Sequence, residues 1–279
     1  MLGHGTAAAP PSLQPIPSSG PDLGAALEAL AQDIARSAPA GLSAGREQPK
    51  VLVVNDRGEH FIAKFSPPRG TAFSDRWHNL LHAESLCMEV LARHGHDVSR
   101  CQLVEGASRT FLLSHRFDRA GRLGRRHVVA IGAVCAAFVA GAYNHWASTA
   151  DALVRQGRLP LADAQRVHFR LQFGRLTGNS DMHSGNLSLF AQGSDLAAVA
   201  KGQFTLAPVY DMLPMRWRPD PMVGAMDYSP FAPDDRLADA AVRLAAHDFW
   251  TTLAKHPSVS VALKDVATEM ALRMGCAAA

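Results

Sequence analysis

The apolar residues along the chain predict strands in its first half and mainly helices in its second half. Leu23, Leu27 and Ile34 recur at helical spacing, so a helix is predicted over 22–37. Residues 1–21 are rich in Pro, Ser, Gly and Ala and are expected to be disordered. The elements predicted next are a β-hairpin, a helix and two more strands, at 51–54 with 61–65, 77–94, 101–105 and 110–117.

After residue 118 the pattern becomes mainly helical. Helices are predicted near 127–142, 161–176, 235–255 and 258–274, and short strands at 187–190 and 204–207. We therefore predict an α+β fold of two lobes. The small β-rich N-lobe covers 22–117 and the larger, mainly helical C-lobe covers 118–279.

Composition and charge narrow the class of protein. The 279 residues are 47% hydrophobic and 19% charged, as in a soluble globular protein, and a net charge of +3 is too small to indicate nucleic-acid binding. The four cysteines lie far apart and are expected to be free thiols of a reducing compartment. The N-terminus lacks the pattern of a secretory signal peptide, and polar residues interrupt the uncharged run 128–146. We therefore expect a cytoplasmic protein without membrane association.

The most informative motif is a loop between a predicted helix and the strand at 187–190. There Asp181 is followed five residues later by Asn186, which is the D-x-x-x-x-N spacing of a kinase catalytic loop. In that loop the Asp orients or deprotonates a hydroxyl, and the Asn binds magnesium. Asp211 follows another apolar strand, where a second magnesium-binding carboxylate belongs. Asp and Asn are common in loops, so the spacing alone also fits a polar turn.

Two oppositely charged residues occupy apolar surroundings in the first half. Lys64 lies in the second strand of the hairpin, where a Lys is costly to bury unless paired, although an exposed edge would keep its charge in water. Glu84 falls on the apolar stripe of the next helix, three and four residues after Leu81 and Leu80. A carboxylate on a core face needs a cation. We therefore predict a Lys64–Glu84 ion pair, as in the phosphate anchor of protein kinases.

Three other kinds of site, a P-loop, a serine hydrolase and a zinc site, fit the sequence less well than a kinase site does. The segment 41–50 contains glycines that can offer backbone N–H groups to phosphate, but it lacks the P-loop pattern. It also contains G-x-S-x-G around Ser43, yet a serine hydrolase requires a strand before this motif and a helix after it, the reverse of the context here. A zinc site of Asp181, His183 and His168 has no supporting motif.

With these parts the chain resembles the HipA family of bacterial serine/threonine kinases, through their HipA-like C-terminal domain. The resemblance rests on five segments in family order, SAGREQPK (43–50), FIAKFSP (61–67), SHRFDR (114–119), TGNSDMHSGNLSLF (177–190) and LAPVYDML (206–213). Together they span about residues 41–215. The detail is most similar to the YjjJ branch, in a short version without the N-terminal subdomain of full-length HipA.

The resemblance implies a bilobal protein-kinase-like fold, ATP and Mg²⁺ as cofactors, and a role for each matching residue. Asp181 matches the catalytic Asp, and Asn186 and Asp211 match the magnesium ligands. The positions that match nucleotide-binding residues are Ser43, Gly45, Lys64, Glu84, His115 and Phe117. Ser43 falls where some members autophosphorylate and so switch themselves off.

The resemblance also implies a protein substrate phosphorylated on serine or threonine, a toxin-like role and an antitoxin-like partner. Three other functions stay open from the residues themselves. They are a pseudokinase-like regulatory module that binds nucleotide without turnover, a small-molecule kinase, and a nucleic-acid-linked regulator suggested by five arginines between 116 and 126. A solvated hairpin turn explains these arginines more simply, so we expect no direct nucleic-acid binding.

Overall fold

A computed structural model describes residues 15–37, 48–141, 145–193, 195–220, 222–224, 227–236 and 238–275. The glycine-containing loop with Ser43 and Gly45 lies outside the described residues, as do residues 1–14. Within the described ranges, no helix is long and apolar enough to cross a membrane.

The first half is a four-stranded antiparallel sheet with a helix on each face. Its elements in chain order are α1 (Pro21–Ser37), β1 (Lys50–Val54), β2 (His60–Phe65), α2 (Ala72–Arg93), β3 (Cys101–Glu105) and β4 (Thr110–His115). The strands lie in the order β1–β2–β4–β3. Every element predicted for this half is confirmed, with ends that differ by a few residues.

Alternation of side chains along the strands gives this sheet two different faces. Ala63 and Phe65 pack with α1 in one apolar cluster. Lys64 lies between them in sequence and therefore on the opposite face, where its side chain reaches Glu84 of α2. One strand thus contributes to the packed core on one side and to a polar cluster on the other.

Helix α2 begins five residues earlier than predicted because Thr71 caps it. The Thr71 hydroxyl accepts a hydrogen bond from the Ser74 amide, and the Ser74 hydroxyl accepts one from the Thr71 amide. Further along, Val90 and Leu91 of α2 belong to the core of the second half. The helix therefore joins the sheet to the helical half and holds Glu84 between them.

The second half is mainly helical, with a small sheet among the helices. Its elements are β5 (Arg119–Ala120), β6 (Gly124–Arg125), β7 (Val128–Ala130), α3 (Ile131–Phe138), α4 (Trp146–Arg155), α5 (Leu161–Leu176), β8 (Ser188–Ala191), α6 (Leu196–Ala200), β9 (Phe204–Leu206), α7 (Ala240–Ala254) and α8 (Val261–Gly275). The antiparallel sheet has the order β7–β8–β9. Helix α7 packs on α8, α5 and α2, so α2 of the first half belongs to the same core as the helices of the second half.

Part of the second half differs from the sequence prediction. One helix was predicted over 127–142, whereas Val128–Ala130 form β7 and Ile131–Phe138 form α3, because Val128 and Val129 pair with β8. β-branched residues favour a strand once a partner strand is present. Helix α4 has no counterpart among the predicted elements, although its buried residues Trp146 and Leu153 are two helical turns apart.

The N-terminal segment also departs from the expected disorder through residue 21. Ile16 is buried, and its amide donates to the Val54 carbonyl at 2.8 Å. Ile16 belongs to the same apolar cluster as Leu23 and Leu27 of α1. The residues just before α1 are therefore part of the packed face of the sheet.

Candidate active site

Lys64 is the centre of a buried ion-pair cluster. Strand β2 lies between β1 and β4, so Lys64 is inside the sheet and not on an exposed edge. Its side chain is buried, and its Nζ lies 2.6 Å from Oε1 of Glu84 and 2.5 Å from Oδ1 of Asp211. The expected Lys64–Glu84 contact is therefore present, and Asp211 joins it.

One ammonium group between two carboxylates shifts the pKa values of all three groups. Burial alone would lower the pKa of Lys64, but the charges of Glu84 and Asp211 outweigh it and raise that pKa. Burial raises the pKa of Glu84, and Lys64 offsets this only in part. Burial also acts to raise the pKa of Asp211, yet Lys64 holds it below its ordinary value. Asp211 is therefore ionised at neutral pH.

Asp211 also has an unusual backbone. Its φ of 56° is the only positive φ of a non-glycine residue in the ranges that the structure describes. The left-handed region is costly for most side chains, but Asp and Asn tolerate it best. The side chain stays 32% exposed, so this turn directs the carboxylate to Lys64 while leaving it accessible.

The loop around Asp181 is held from both sides by asparagine side chains. Oδ1 of Asn179 accepts from the Asp181 amide at 3.0 Å, and Nδ2 of Asn186 donates to the Asp181 carbonyl at 2.8 Å. The Asp181 carboxylate is 42% exposed, and Nε2 of His183 lies 4.0 Å from it. The backbone is thus fixed while the carboxylate is open to solvent. Asn179 was not predicted as a site residue, although an Asn two residues before an Asp is typical of an Asx-turn.

His183 shapes this loop and does not join a zinc site. Its Nδ1 accepts from the Gly185 amide at 3.0 Å, and its carbonyl accepts from Nε1 of Trp146 at 3.0 Å. His168, part of the zinc alternative, instead pairs with Asp151 of α4 at 2.8 Å. In the described part of the chain, Asp181, His183 and His168 do not form a metal-binding group.

The pairing of β8 with β9 brings the Asp181 loop next to Asp211. Tyr210, just before Asp211, donates its hydroxyl to the Gly185 carbonyl at 2.7 Å. The same hydroxyl accepts from Ser188 Oγ at 2.7 Å, which ties it to the start of β8. Tyr210 therefore joins the two segments that carry the candidate catalytic and metal-binding residues.

The Asp181 loop and the Asp211 turn both pack against Gly174 of α5. A Cβ atom added to Gly174 would overlap Sδ of Met182 and would lie 3.2 Å from Sδ of Met212. Met182 follows Asp181, and Met212 follows Asp211. The absence of a side chain at residue 174 lets both segments approach the helix closely.

His115 and Phe117, two of the positions that match nucleotide-binding residues, have their rings in different places. The Phe117 ring packs with those of Phe190 and Tyr210, at centroid distances of 5.9 and 5.6 Å. The His115 ring packs edge-on against Phe61, which contacts the apolar cluster around α1. Burial, more than the nearby positive charge, lowers the pKa of His115. Of the two rings, only that of Phe117 lies beside the segments that carry Asp181 and Asp211.

Two apolar side chains beside the cluster were not predicted as site residues. Leu52 pairs with Ile62, which precedes Lys64 by two residues, so both lie on the Lys64 face of the sheet. Leu52 is 46% exposed. Counting the strand period back from Lys64 would have found Ile62 from the sequence, whereas Leu52 also needed the register of the hairpin.

The five arginines between 116 and 126 surround the β5–β6 hairpin, as expected for a hairpin turn. Arg116 makes a bidentate ion pair with Asp118, at 2.9 and 2.6 Å. Arg126 lies over the Phe190 ring, 3.6 Å from its centroid. The other three arginines and Arg116 line a cavity of about 470 Å³ together with Leu52.

The site combines a sheet lysine paired with a helix glutamate, a loop that carries Asp and Asn, and a further Asp downstream. This combination is typical of proteins with a protein-kinase-like fold. The chain has a bilobal, protein-kinase-like α+β fold. It belongs to the HipA-like C-terminal domain family, which its sequence matches over residues 41–274. The family and fold class expected from the sequence are thereby confirmed.

Two known proteins show the likeness in more detail. The chain is 34% identical over 251 residues to Toxin YjjJ of Escherichia coli (strain K12), and the match covers 87% of this chain. The match covers 55% of that relative, so the chain spans about half its length. A solved complex of HipA, HipB and operator DNA from Shewanella oneidensis MR-1 contains a chain of similar fold, with a TM-score of 0.60 and 19% identity. That likeness covers 98% of this chain and 74% of the other.

Proposed function

We propose that this protein is an ATP- and Mg²⁺-dependent serine/threonine protein kinase of the HipA toxin-like type. The observation that carries the proposal is the contact of Lys64 with both Glu84 and Asp211, next to a loop in which Asp181 and Asn186 are hydrogen-bonded to each other. In protein kinases the same set of residue types anchors phosphates, binds magnesium and positions the acceptor hydroxyl.

The residues around Lys64 suit a nucleotide. Lys64 stays protonated and would bind phosphate oxygens, while Glu84 holds the lysine side chain in place from α2. Leu52 and Ile62 would offer apolar surface to the base, since they lie on the same sheet face as Lys64. The ring of Phe117 would close the other side, and Ser43 and Gly45 would belong to the loop over the phosphates.

The donor set also fits magnesium. Mg²⁺ prefers a few oxygen ligands and keeps several waters. Because Nδ2 of Asn186 is used by the Asp181 carbonyl, the oxygen of that amide is the atom left to bind a cation. The Asp211 carboxylate is ionised and partly exposed, so a cation can approach it. Bound there, Mg²⁺ would neutralise phosphate charge.

Asp181 would position the acceptor hydroxyl and take up its proton. The backbone N–H and C=O of Asp181 are both hydrogen-bonded, so the residue's place on the loop is fixed before a substrate arrives. Its carboxylate is also exposed enough to meet a protein side chain. Pre-organisation of this kind lowers the barrier because little geometry must be fixed during the reaction.

Labelled ATP tests this proposal directly. Wild type should transfer label to itself or to a bacterial protein extract when Mg²⁺ is present. Asp181→Asn should abolish transfer but keep nucleotide binding, and Asp211→Asn should weaken both. Asp151→Asn, a carboxylate on α4 paired with His168, is the matched control and should label as wild type does.

The outcomes separate the alternatives. Nucleotide binding without turnover in wild type would indicate a regulatory module. Label found only in small metabolites would indicate a small-molecule kinase. A wild type that neither binds nor transfers nucleotide contradicts the kinase proposal.

We also propose a growth-restraining role with a partner that limits it. Its support is the relative described as a toxin and the neighbour solved together with HipB. Induced expression of wild type in bacteria should slow growth, whereas Asp181→Asn should not. Ser43→Ala should slow growth at least as strongly as wild type if phosphorylation of Ser43 switches the protein off. Equal growth with wild type and Asp181→Asn would contradict the role.

A further inference from the structure

Three histidines and a glutamate meet on the side of α2 away from Glu84. His78 and His82 are one helical turn apart on α2, with ring centroids separated by 4.6 Å. Glu105 is the last residue of β3, and His256 follows α7 with its ring centroid 5.0 Å from that of His82. The cluster thus combines four residues from three separate segments.

The ligand atoms of three of these residues already converge. One ring nitrogen of His78, one of His82 and a carboxylate oxygen of Glu105 all lie within 4.8 Å of one another. Ligands around a tetrahedral zinc ion, with bonds of about 2.0–2.2 Å, stand about 3.4 Å apart. Rotamer adjustments of about 1 Å would therefore bring these atoms to bonding positions, helped by the partial exposure of Glu105.

His82 has a hydrogen-bonding defect that points to a cation. It is 4% exposed, its Nε2 lies 3.2 Å from Oε1 of Glu105, and its Nδ1 is buried with no partner in the described part of the chain. If Nε2 carries the proton, the Nδ1 lone pair is unused. If Nδ1 carries it, the Nε2 lone pair faces a carboxylate, and a cation between them would turn that repulsion into attraction.

We propose that His78, His82 and Glu105 bind a divalent transition metal of the zinc class, with His256 beside them as a candidate fourth ligand. Two imidazoles and one carboxylate suit Zn²⁺, whereas Mg²⁺ and Ca²⁺ prefer oxygen ligands only. Both ring nitrogens of His78 already make hydrogen bonds, Nδ1 to Oγ1 of Thr110 at 2.6 Å and Nε2 to the Ser258 carbonyl at 2.7 Å. Metal binding must break one of them, which lowers the affinity. Glu105 must also share its charge with Arg69.

A metal here would fasten α2 to β3. His82 precedes Glu84 by two residues, which is about 200° around the helix, and His78 lies about 120° from Glu84. The metal site and the Lys64 contact therefore lie on different sides of α2. The proposal does not depend on kinase activity. With the metal bound, α2 would be held by two contacts, the Lys64–Glu84 ion pair and the metal ion.

Metal titration of the full chain without a histidine tag, after removal of metals by a chelator, tests this site. Wild type should bind one Zn²⁺ by isothermal titration calorimetry and should unfold at a higher temperature when Zn²⁺ is present. His82→Gln and Glu105→Gln should each weaken binding by about tenfold or more. His168→Gln, a histidine paired with Asp151 on another face, should bind as wild type does.

Asp211→Asn separates this site from the candidate magnesium site and should keep full Zn²⁺ binding. Circular dichroism without metal shows whether each variant folds. If His82→Gln does not fold, the partly exposed Glu105 still provides the test. No uptake by wild type, or an equal loss of binding in His168→Gln, would overturn the proposal.

Discussion

The Nζ of Lys64 lies 2.5 Å from Oδ1 of Asp211, although 147 residues separate the two in sequence. This contact joins the four-stranded sheet to the segment that follows β9. Because Lys64 also contacts Glu84, one positive charge serves two carboxylates, and the cluster is negative when both are ionised. A second cation is therefore favoured electrostatically beside Asp211.

Replacing Lys64 by Met should destabilise the fold by about 3–5 kcal/mol, because Glu84 would remain buried without its cation. The double variant Lys64→Met/Glu84→Gln should recover part of this loss, since it removes the unpaired charge. Neither variant should bind ATP. Urea unfolding measures the stabilities, and Lys255→Met, at an exposed lysine after α7, is the control. A single variant as stable as wild type would contradict the cost assigned to Glu84.

Replacing Asn186 by Ala should raise the Mg²⁺ concentration needed for half-maximal label transfer by about tenfold or more. It should also cost about 1 kcal/mol, because the hydrogen bond from Nδ2 to the Asp181 carbonyl is lost. Gln192→Ala removes an exposed amide that bonds to Thr205 and should leave the Mg²⁺ requirement unchanged. An unaltered Mg²⁺ dependence in Asn186→Ala would exclude Asn186 as a ligand.

Replacing Tyr210 by Phe should slow label transfer several-fold with little change in the KM for ATP. The hydroxyl holds the Gly185 carbonyl, whereas the ring that packs with Phe117 is kept. The free energy of unfolding should fall by about 1 kcal/mol. Tyr228→Phe removes a hydroxyl that accepts from Asn79, in another part of the core, and should not affect kcat. Equal effects of both variants on kcat would show that the Gly185 contact does not matter.

Acid should destabilise the protein partly through His96. Burial, followed by the charges of Arg170 and Arg166, lowers the pKa of His96 to about 4. The nearby His94 acts in the same direction, and only Asp97 acts to raise this pKa. Between about pH 6.5 and 4 the unfolded state therefore binds a proton that the folded state does not, and stability falls as pH falls through this window.

Unfolding experiments between pH 7.5 and 5 measure this effect. His96→Gln should make the stability less dependent on pH, whereas His127→Gln, at an exposed histidine, should not. The same dependence on pH in wild type and His96→Gln would assign the acid sensitivity to other groups.

The Lys64–Glu84 contact could be predicted because both residues follow local periods. The strand period and the order of the hairpin placed Lys64 in a sheet, and the helical stripe of α2 placed Glu84 on its core face. The distance of 2.6 Å between Nζ of Lys64 and Oε1 of Glu84 confirms that reasoning.

The contact of Lys64 with Asp211 could not be predicted from local patterns. It depends on the pairing of β9 with β8 and on the left-handed turn at Asp211. The same is true of β7, where Val128 and Val129 form a strand only because β8 lies beside them. The metal-binding candidates are similar, since His78 and His82 show helical spacing but Glu105 joins them through tertiary packing.

Gly174 has no side chain, and a larger residue at this position would disturb both loops of the candidate active site. Met182 and Met212 both lie against it, so added volume there would push the Asp181 loop and the Asp211 turn away from α5 at the same time. The two loops are thus mechanically coupled through one helix position, and the geometry between their carboxylates is preserved or lost as a unit.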